Sequence, residues 1–183
     1  MHDNMQRQEI HSRQIDLRFY SRPDGLYEVE GRLIDKKAQP FRRVLGDDAV
    51  PPGVPIHDII VRLVVDDSLV VHEAAASMLA TPFQVCGAAT RTLDPLVGLT
   101  MAKGWNKRVR ELLGGAASCT HIMELLGPMA TTAFQGLAPR RRALMEGPDA
   151  ERHIRSKVDS CFAYSAEREV VATLWPHLRR PAA

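Results

Sequence analysis

The feature that most limits the fold of this chain is an alternation of apolar and charged residues over positions 13–36. Apolar side chains recur at every second position from 15 to 19, and the same spacing returns between Tyr27 and Leu33. A period of two indicates β-strands with one buried face and one charged, wet face. Between the two runs, Arg22-Pro23-Asp24-Gly25 is a strong turn signal. The pattern therefore predicts a β-hairpin over 13–36.

A second hairpin is predicted at about 56–77, after a loop at 37–55 that contains several proline and glycine residues. We expect its strands at 57–65 and 68–77, joined by a two-residue turn at Asp66-Asp67. The middle of this hairpin is apolar on both faces, which favours a place at the centre of the sheet. With that turn, Val61 would lie opposite His72.

The pattern after Pro82 becomes helical, with an apolar stripe that begins at Trp105. A helix starting at Ser118 is expected to end near Gly127-Pro128, and a further helical stretch to cover 129–135. A strand at 157–164 and a short strand or helix at 169–174 complete the chain. Strands followed by helices predict an α+β fold, as a single domain over 12–178 after a flexible N-terminus at 1–11.

Composition narrows the class of protein. The chain has 183 residues, 45% of them hydrophobic and 25% charged, with a net charge of +2 and few aromatic residues. These values are typical of a globular protein and argue against a dedicated nucleic-acid binder. We find neither the apolar core of a signal peptide nor a run of roughly 18 apolar residues that could span a membrane. Three unclustered cysteines fit a reducing cytoplasm, so we expect a cytoplasmic protein with no membrane or nucleic-acid partner.

The segment 114–126 is the strongest candidate for chemistry. A glycine pair leads to Ser118, a good helix N-cap, which would make Cys119 the first helical residue. Helix N-termini favour anions and lower the pKa of a thiol. His121 and Glu124 are three residues apart and would share one side of that helix. The alternative is purely structural, because free cysteine often packs as a small hydrophobe.

Metal binding is one chemistry that these residues allow. His57, His72, Cys119 and His121 are the candidate ligands for a divalent transition metal, namely zinc, iron or manganese. In the expected register His57 and His72 would be roughly 13 Å apart, which is too far for one ion. Either histidine could instead join Cys119 or His121 from the helical layer. No motif for a nucleotide cofactor is present.

Thiol and acid–base chemistry are the other options. Cys119 could act as a nucleophile, but residues two apart on a helix point about 200° away from each other, so His121 would be a poor direct base. His57 or His72 would serve better in that role. Asp159 lies in a partly apolar segment and could act with a histidine, although such an aspartate more often caps a turn. A cluster of basic residues near Trp105 and a second at 140–142 are expected to be solvated surface charges.

The chain also resembles the bacterial domain-of-unknown-function family numbered 2889 over nearly its whole length. The resemblance rests on several short motifs spread along the sequence: Ile15-Asp16-Leu17, His57-Asp58-Ile59, Lys103-Gly104-Trp105, Cys119-Thr120-His121, Asp159-Ser160-Cys161 and Trp175-Pro176. The position before Cys119 resembles a glycine in that family, whereas this chain has Ser118. The resemblance brings no established mechanism, but it implies a role in the catabolism of aromatic or related ring compounds.

These observations lead to one hypothesis and its rivals. The leading expectation is a catabolic enzyme whose catalytic residues are Cys119, His121, His57 and Asp159. It would act on a small aromatic molecule as a carbon–carbon lyase of the retro-aldol type that releases formaldehyde. A metal-assisted hydrolase with the same site is an alternative. The other rival is a non-catalytic module that binds a metal or a partner, with the hairpin at 56–77 pairing in a homodimer.

Overall fold

A computed structural model describes residues 6–45 and 49–181 of the chain. Its first hairpin consists of β1 (His11–Ser21) and β2 (Tyr27–Lys37), paired antiparallel with Asp16 opposite Arg32. Gly25 takes a positive φ of 83° in the turn, a conformation that glycine adopts without strain. The hairpin predicted from the alternating pattern is confirmed.

Two further pairs of strands follow. A short pair, β3 (Phe41–Arg42) and β4 (Ala49–Val50), lies in the connection to β5 (Pro55–Val65) and β6 (Val71–Ala80). The four long strands form one antiparallel sheet in the order β1-β2-β5-β6. An α+β fold with two hairpins preceding a helical layer is therefore confirmed.

The second hairpin differs from the prediction in its turn and its register. The connection covers residues 66–70, where the Asp66 carboxylate accepts hydrogen bonds from the backbone N–H groups of Ser68 and Val70. Val61 consequently lies opposite Ala76 rather than His72. Of the two strands of this hairpin, only β5 has a neighbour on each side, and β6 is at the edge of the sheet. The central position expected for the whole hairpin is therefore wrong for β6.

One face of the sheet forms the core. Its fully buried side chains come from β2 and β5 and include Val29, Leu33, Ile59, Val61 and Leu63. The opposite face carries cross-strand ion pairs, among them Arg32 with Asp58 and Arg62 with Glu30. The division into an apolar and a charged face follows the alternation in the sequence.

Two α-helices follow the four-stranded sheet. The helix α1 (Trp105–Leu113) comes after short 3-10 helices at Gln84–Arg91 and Asp94–Leu96. At the start of α1, the indole N–H of Trp105 donates to the Leu126 carbonyl at 2.9 Å. The helix α2 (Thr120–Gly136) lies against β1, β2 and β5. A Cβ at Gly31 would meet the Met129 side chain at 3.0 Å, so α2 approaches the sheet closely at that point.

The break that we predicted at Gly127-Pro128 does not occur. The helix α2 continues through Pro128 because its apolar side chains are fully buried on both sides of that residue, from Leu125 to Met129. An interior proline costs about 3 kcal/mol. Each buried large apolar side chain contributes roughly 1.5–3 kcal/mol, so the packing outweighs the local preference.

The contacts divide the chain into two compact units, residues 1–136 and 137–183. The second unit contains α3 (Ala138–Leu144), α4 (Ala150–Lys157) and α5 (Glu169–Leu174). The predicted strand at 157–164 is wrong: after Lys157 the chain makes turns, and Asp159 has a positive φ of 61°. The single domain at 12–178 remains a prediction.

The N-terminal stretch predicted to be flexible lies partly outside the described residues. Positions 6–10 are exposed and have no regular secondary structure, and His11 already belongs to β1. The flexibility of 1–11 therefore stays a prediction. Over the described part of the chain, no helix has both the length and the apolar character that a membrane crossing requires.

Candidate metal centre

A row of three polar residues crosses the buried face of the sheet at one end. Arg13 on β1 lies opposite Asp35 on β2, and Asp35 lies opposite His57 on β5. Asp35 follows Leu33 by two positions, so it continues the buried face of its strand. The register of the sheet therefore places a carboxylate between a guanidinium and an imidazole.

The Asp35 carboxylate is almost fully buried, with 1% of the residue exposed. Arg13 holds it through two parallel bonds, Nε to Oδ1 and Nη2 to Oδ2, both 2.7 Å long. His57 Nδ1 is 3.0 Å from Oδ2, and His11 Nε2 is 3.4 Å from Oδ1. Burial raises the pKa of Asp35, but hydrogen bonds and positive charge from Arg13 and His57 lower it by a larger amount. The pKa of Asp35 is therefore below its usual value.

The helix α2 adds two side chains above this row. His121 Nε2 lies 3.5 Å from Asp35 Oδ2, and the rings of His57 and His121 are 3.8 Å apart between centroids. One turn later, Glu124 binds the remaining Arg13 nitrogen, Nη1. The pair at positions 121 and 124 thus shares one side of the helix, as its spacing predicted.

His121 has a lowered pKa. Burial is the largest cause, followed by the neighbouring positive charges of His57 and Arg13. The lowered pKa favours the neutral imidazole, which is the form that binds a metal or accepts a proton.

Cys119 lies immediately before α2, where its carbonyl accepts the Met123 N–H at 3.0 Å. Its Sγ is 3.7 Å from His121 Nδ1. The expectation that the two side chains diverge is wrong because the helix begins at Thr120, so Cys119 does not follow helical geometry. Ser118 is not the expected N-cap either, since its hydroxyl pairs with the Thr92 hydroxyl at 2.6 Å.

The three residues Asp35, His57 and His121 could hold a metal ion. Each offers one ligand atom, and these atoms all lie within 4.8 Å of one another. Ligands about 2.0–2.1 Å from a zinc ion are roughly 3.3 Å apart at tetrahedral angles. The distances of 3.0 and 3.5 Å from Asp35 Oδ2 to the two imidazoles match that spacing.

The donor set also fits a metal chemically. A carboxylate offers about four lone pairs, of which Arg13 occupies one on each oxygen of Asp35. A lone pair of Oδ2 therefore remains on the side of His57 and His121. Two imidazoles and one carboxylate are a ligand set typical of zinc, iron(II) and manganese(II) sites.

A cavity of about 480 Å³ adjoins this cluster. His57, Cys119 and His121 contribute to its wall, and most of the remaining lining is apolar: Ile59, Met78, Pro82, Phe83, Val85 and Ala89. The volume lies within the range of roughly 300–1,000 Å³ that small-molecule sites occupy. A bound molecule would have an apolar body and would place a polar group near the imidazoles.

The candidate residues identified from the sequence separate into two groups. The structure brings His57, Cys119 and His121 together. His72 instead pairs with Asp66 at 3.1 Å on an exposed part of the second hairpin. Asp159 belongs to the second unit, where it accepts the Ala166 N–H at 3.0 Å and forms an ion pair with Arg180. These contacts give Asp159 the loop-capping role considered as its alternative.

Sequence reasoning missed Asp35 and Arg13, although a signal for Asp35 was present. Val29, Leu33 and Asp35 fall on one face of β2, so the alternation placed a carboxylate where apolar side chains are expected. A buried carboxylate needs a partner, which indicates a functional or structural ion pair. Arg13 carried no such signal, because only the strand register shows that it lies opposite Asp35.

The fold and the cluster define an α+β protein with a possible metal site of two histidines and one aspartate beside an apolar cavity. A family model described as "Protein of unknown function (DUF2889)" matches residues 11–135. The chain belongs to this family, and the match covers the sheet, α1 and nearly all of α2. The motifs at 159–161 and 175–176 lie outside the matched range. Comparison with curated proteins gave no match, and comparison with solved structures gave none.

Proposed function

We propose that this chain is a small cytoplasmic enzyme in which Asp35, His57 and His121 bind a divalent transition metal. The observation that carries the proposal is the approach of both imidazoles to Asp35 Oδ2, at 3.0 and 3.5 Å, beside a cavity of about 480 Å³. A metal at this point would polarise an oxygen of a bound molecule as a Lewis acid. Zinc, iron and manganese are all compatible with the ligands.

The reaction that we propose is a retro-aldol cleavage of a β-hydroxy ketone with an apolar, aromatic body. The thiolate form of Cys119 would take the proton of the substrate hydroxyl and become a thiol, and the bond between the hydroxymethyl carbon and the α-carbon would break. Formaldehyde would leave with the former hydroxyl oxygen, and the electron pair of the broken bond would form an enolate; a metal held by Asp35, His57 and His121 would supply Lewis-acid stabilisation of negative charge. The proton on Cys119 then returns to the α-carbon, which gives the shortened ketone. The cleavage requires no oxidant or reductant.

Elemental analysis with matched variants tests the metal site. Protein purified without a histidine tag or chelator is expected to contain about one metal ion per chain. Asp35→Asn, His57→Ala and His121→Ala should each lose most of it. His72→Ala is the control, since His72 pairs with Asp66 outside the cluster, and should retain the metal. A metal-free wild type, or equal loss in all four variants, would contradict the proposal.

The reaction is tested separately with 3-hydroxy-1-phenylpropan-1-one, a β-hydroxy ketone whose cleavage would yield acetophenone and formaldehyde. Formaldehyde release by the metal-loaded wild type, and its loss in His121→Ala, is the expected result. A fully metal-loaded protein that leaves this compound and its ring-substituted analogues intact would rule out the lyase assignment while leaving the metal site in place.

A thiol hydrolase is the second candidate, and the contact between Cys119 and His121 favours it. The His121 imidazole lies between the thiol and the carboxylate: its Nδ1 is 3.7 Å from Cys119 Sγ, and its Nε2 is 3.5 Å from Asp35 Oδ2. This order of nucleophile, base and orienting carboxylate is that of cysteine-dependent acyl transfer. Mass spectrometry after mixing metal-free protein with 4-nitrophenyl acetate distinguishes the candidates. An acetyl group on Cys119 that turns over supports the hydrolase, and an unmodified thiol argues against it.

A further inference from the structure

The charge of the cavity wall limits what it can bind. None of the described residues that line it is an aspartate, glutamate, lysine or arginine. The nearest guanidinium of the site, that of Arg13, already has all three nitrogens engaged, two with Asp35 and one with Glu124. An anionic group that lies away from the proposed metal would therefore lose its hydration without gaining a protein counter-charge.

The Ala89 carbonyl favours one direction of donation in a pair of wall hydroxyl groups. The Thr92 hydroxyl donates to that carbonyl at 2.8 Å. The Thr92 oxygen is also 2.6 Å from Ser118 Oγ, a contact in which either hydroxyl could donate. With the single Thr92 proton on the carbonyl, we assign Ser118 as the donor in that contact.

Ser118 Oγ is consequently left with lone pairs only. Both Thr92 and Ser118 line the cavity and are partly exposed. A ligand group that contacts Ser118 Oγ must therefore supply a proton, as a hydroxyl does and a methyl ether does not. This wall position discriminates between a hydrogen-bond donor and an acceptor of nearly the same size.

We infer that the cavity selects an uncharged, apolar-bodied compound with a hydroxyl group that donates to Ser118 Oγ. This hydroxyl is distinct from that of the hydroxymethyl group that leaves as formaldehyde, and its recognition makes Ser118 a specificity-determining residue. The inference rests on the proposed function in assigning the cavity to the substrate. It deepens that function by adding a second polar contact at a defined wall position.

Three aromatic ketones that lack the cleavable hydroxymethyl group beside the carbonyl serve as binding probes. These are 4-(hydroxymethyl)acetophenone, 4-(methoxymethyl)acetophenone and 4-acetylbenzoate. At the ring position opposite the ketone they carry, in this order, a hydroxyl that donates a hydrogen bond, an ether that only accepts, and a carboxylate that is charged. Titration calorimetry on the full chain should show the alcohol binding about 5- to 10-fold more tightly than the ether, the worth of one neutral hydrogen bond. In chelator-treated protein, where no metal charge is present, the benzoate should bind most weakly.

Two pairs of variants locate the effect. Ser118→Ala should remove the preference for the alcohol over the ether, whereas Ser77→Ala, on the exposed face of β6, should keep it. Ala89→Leu should weaken all three probes by filling the cavity, and Ala75→Leu, exposed on the same strand as Ser77, should not. An unchanged preference in Ser118→Ala overturns the inference. Equal binding of the benzoate by chelator-treated protein, or no binding of any probe, also overturns it.

The measurements are made on metal-loaded and chelator-treated protein. Elemental analysis of the same samples reports on the metal site independently of the probes. Loss of the alcohol preference in Ser118→Ala with no metal in the wild type would support the inference and refute the metal site. One metal ion per chain with equal binding of alcohol and ether would do the reverse.

Discussion

Asp35 and His57 face each other across neighbouring strands, and the Asp35 Oδ2 to His57 Nδ1 distance is 3.0 Å. The sheet register fixes this contact, so it does not depend on a mobile loop. Arg13 extends the row on the other side of Asp35, and His121 reaches it from α2. Elements that are far apart in sequence therefore support one buried carboxylate, and a change at any of them should affect the site.

Replacing Arg13 tests the support of that carboxylate. Arg13→Gln leaves Asp35 buried with its two strongest bonds removed, and breaking a buried ion pair from one side costs about 3–5 kcal/mol. Because the Arg13 side chain is 33% exposed, water can replace part of the loss, and we expect a decrease of about 2–3 kcal/mol in the free energy of unfolding. Urea denaturation measures it.

Arg18→Gln is the matched control for that measurement. Arg18 also lies on β1 and pairs with Asp16, but both side chains are largely exposed. Surface pairs of this kind contribute about 0–1 kcal/mol. If the two variants lose equal stability, Arg13 does not stabilise Asp35 beyond an ordinary surface contact.

Replacing Cys119 distinguishes its role in metal binding from its role in catalysis. The sequence suggested Cys119 as a ligand, but the cluster that could hold a metal consists of Asp35, His57 and His121. We therefore expect Cys119→Ala to retain the metal content of the wild type while formaldehyde release falls at least 100-fold, a typical contribution of general acid–base catalysis. Elemental analysis and a formaldehyde assay on one preparation check both statements. Loss of metal in this variant would restore Cys119 as a ligand.

The alternating pattern predicted the first hairpin, an apolar run with a turn signal predicted the second, and the order of strands before helices predicted the α+β class. A period of two specifies which face of a strand is buried, and the proline–glycine turn at 22–25 defines where the first hairpin reverses. The helix start at 118–121 was also located to within two residues. These are local features, and local sequence determines them.

Two parts were not predicted, one for a local reason and one for a tertiary reason. The turn after Val65 is set by Asp66, whose carboxylate accepts hydrogen bonds from the backbone N–H groups of Ser68 and Val70 and lengthens the connection. The two-residue turn that we expected at Asp66-Asp67 therefore gave the wrong register for His72. The position of Asp35 relative to His121 requires the docking of α2 on the sheet, which tertiary packing decides even across Pro128.

Acidification should destabilise the chelator-treated protein in two steps. The pKa of His121 is lowered from 6.5 in the folded state, so the unfolded chain binds more protons as the pH falls below about 6.5, and stability decreases. The pKa of Asp35 is lowered from 3.8. The ionised Asp35 carboxylate therefore contributes fully to the free energy of unfolding above pH 3.8, the pKa of the unfolded chain. This contribution is lost as the pH falls through the lower pKa of the folded state.

Urea denaturation of His121→Gln between pH 7 and 3 isolates the first step. The variant should lose the decrease that begins near pH 6.5 and keep the decrease below pH 3.8 that comes from Asp35. A variant whose stability follows the wild type throughout this range would show that His121 does not carry the first step.

The close packing of α2 on β1 predicts a large effect from a single methyl group. A Cβ at Gly136 would come within 2.1 Å of the Phe19 ring, which is stacked on Tyr27 with ring centroids 5.2 Å apart. Gly136→Ala should therefore lower the free energy of unfolding by about 1–3 kcal/mol, as overpacking does. Because the displaced helix also carries His121, metal affinity should fall with it.

Gly87→Ala is the control, since a Cβ there meets nothing within 4 Å, and it should be neutral or stabilise by about 0.4–1 kcal/mol. Equal stability of the two variants would mean that α2 is not held against β1 at this point.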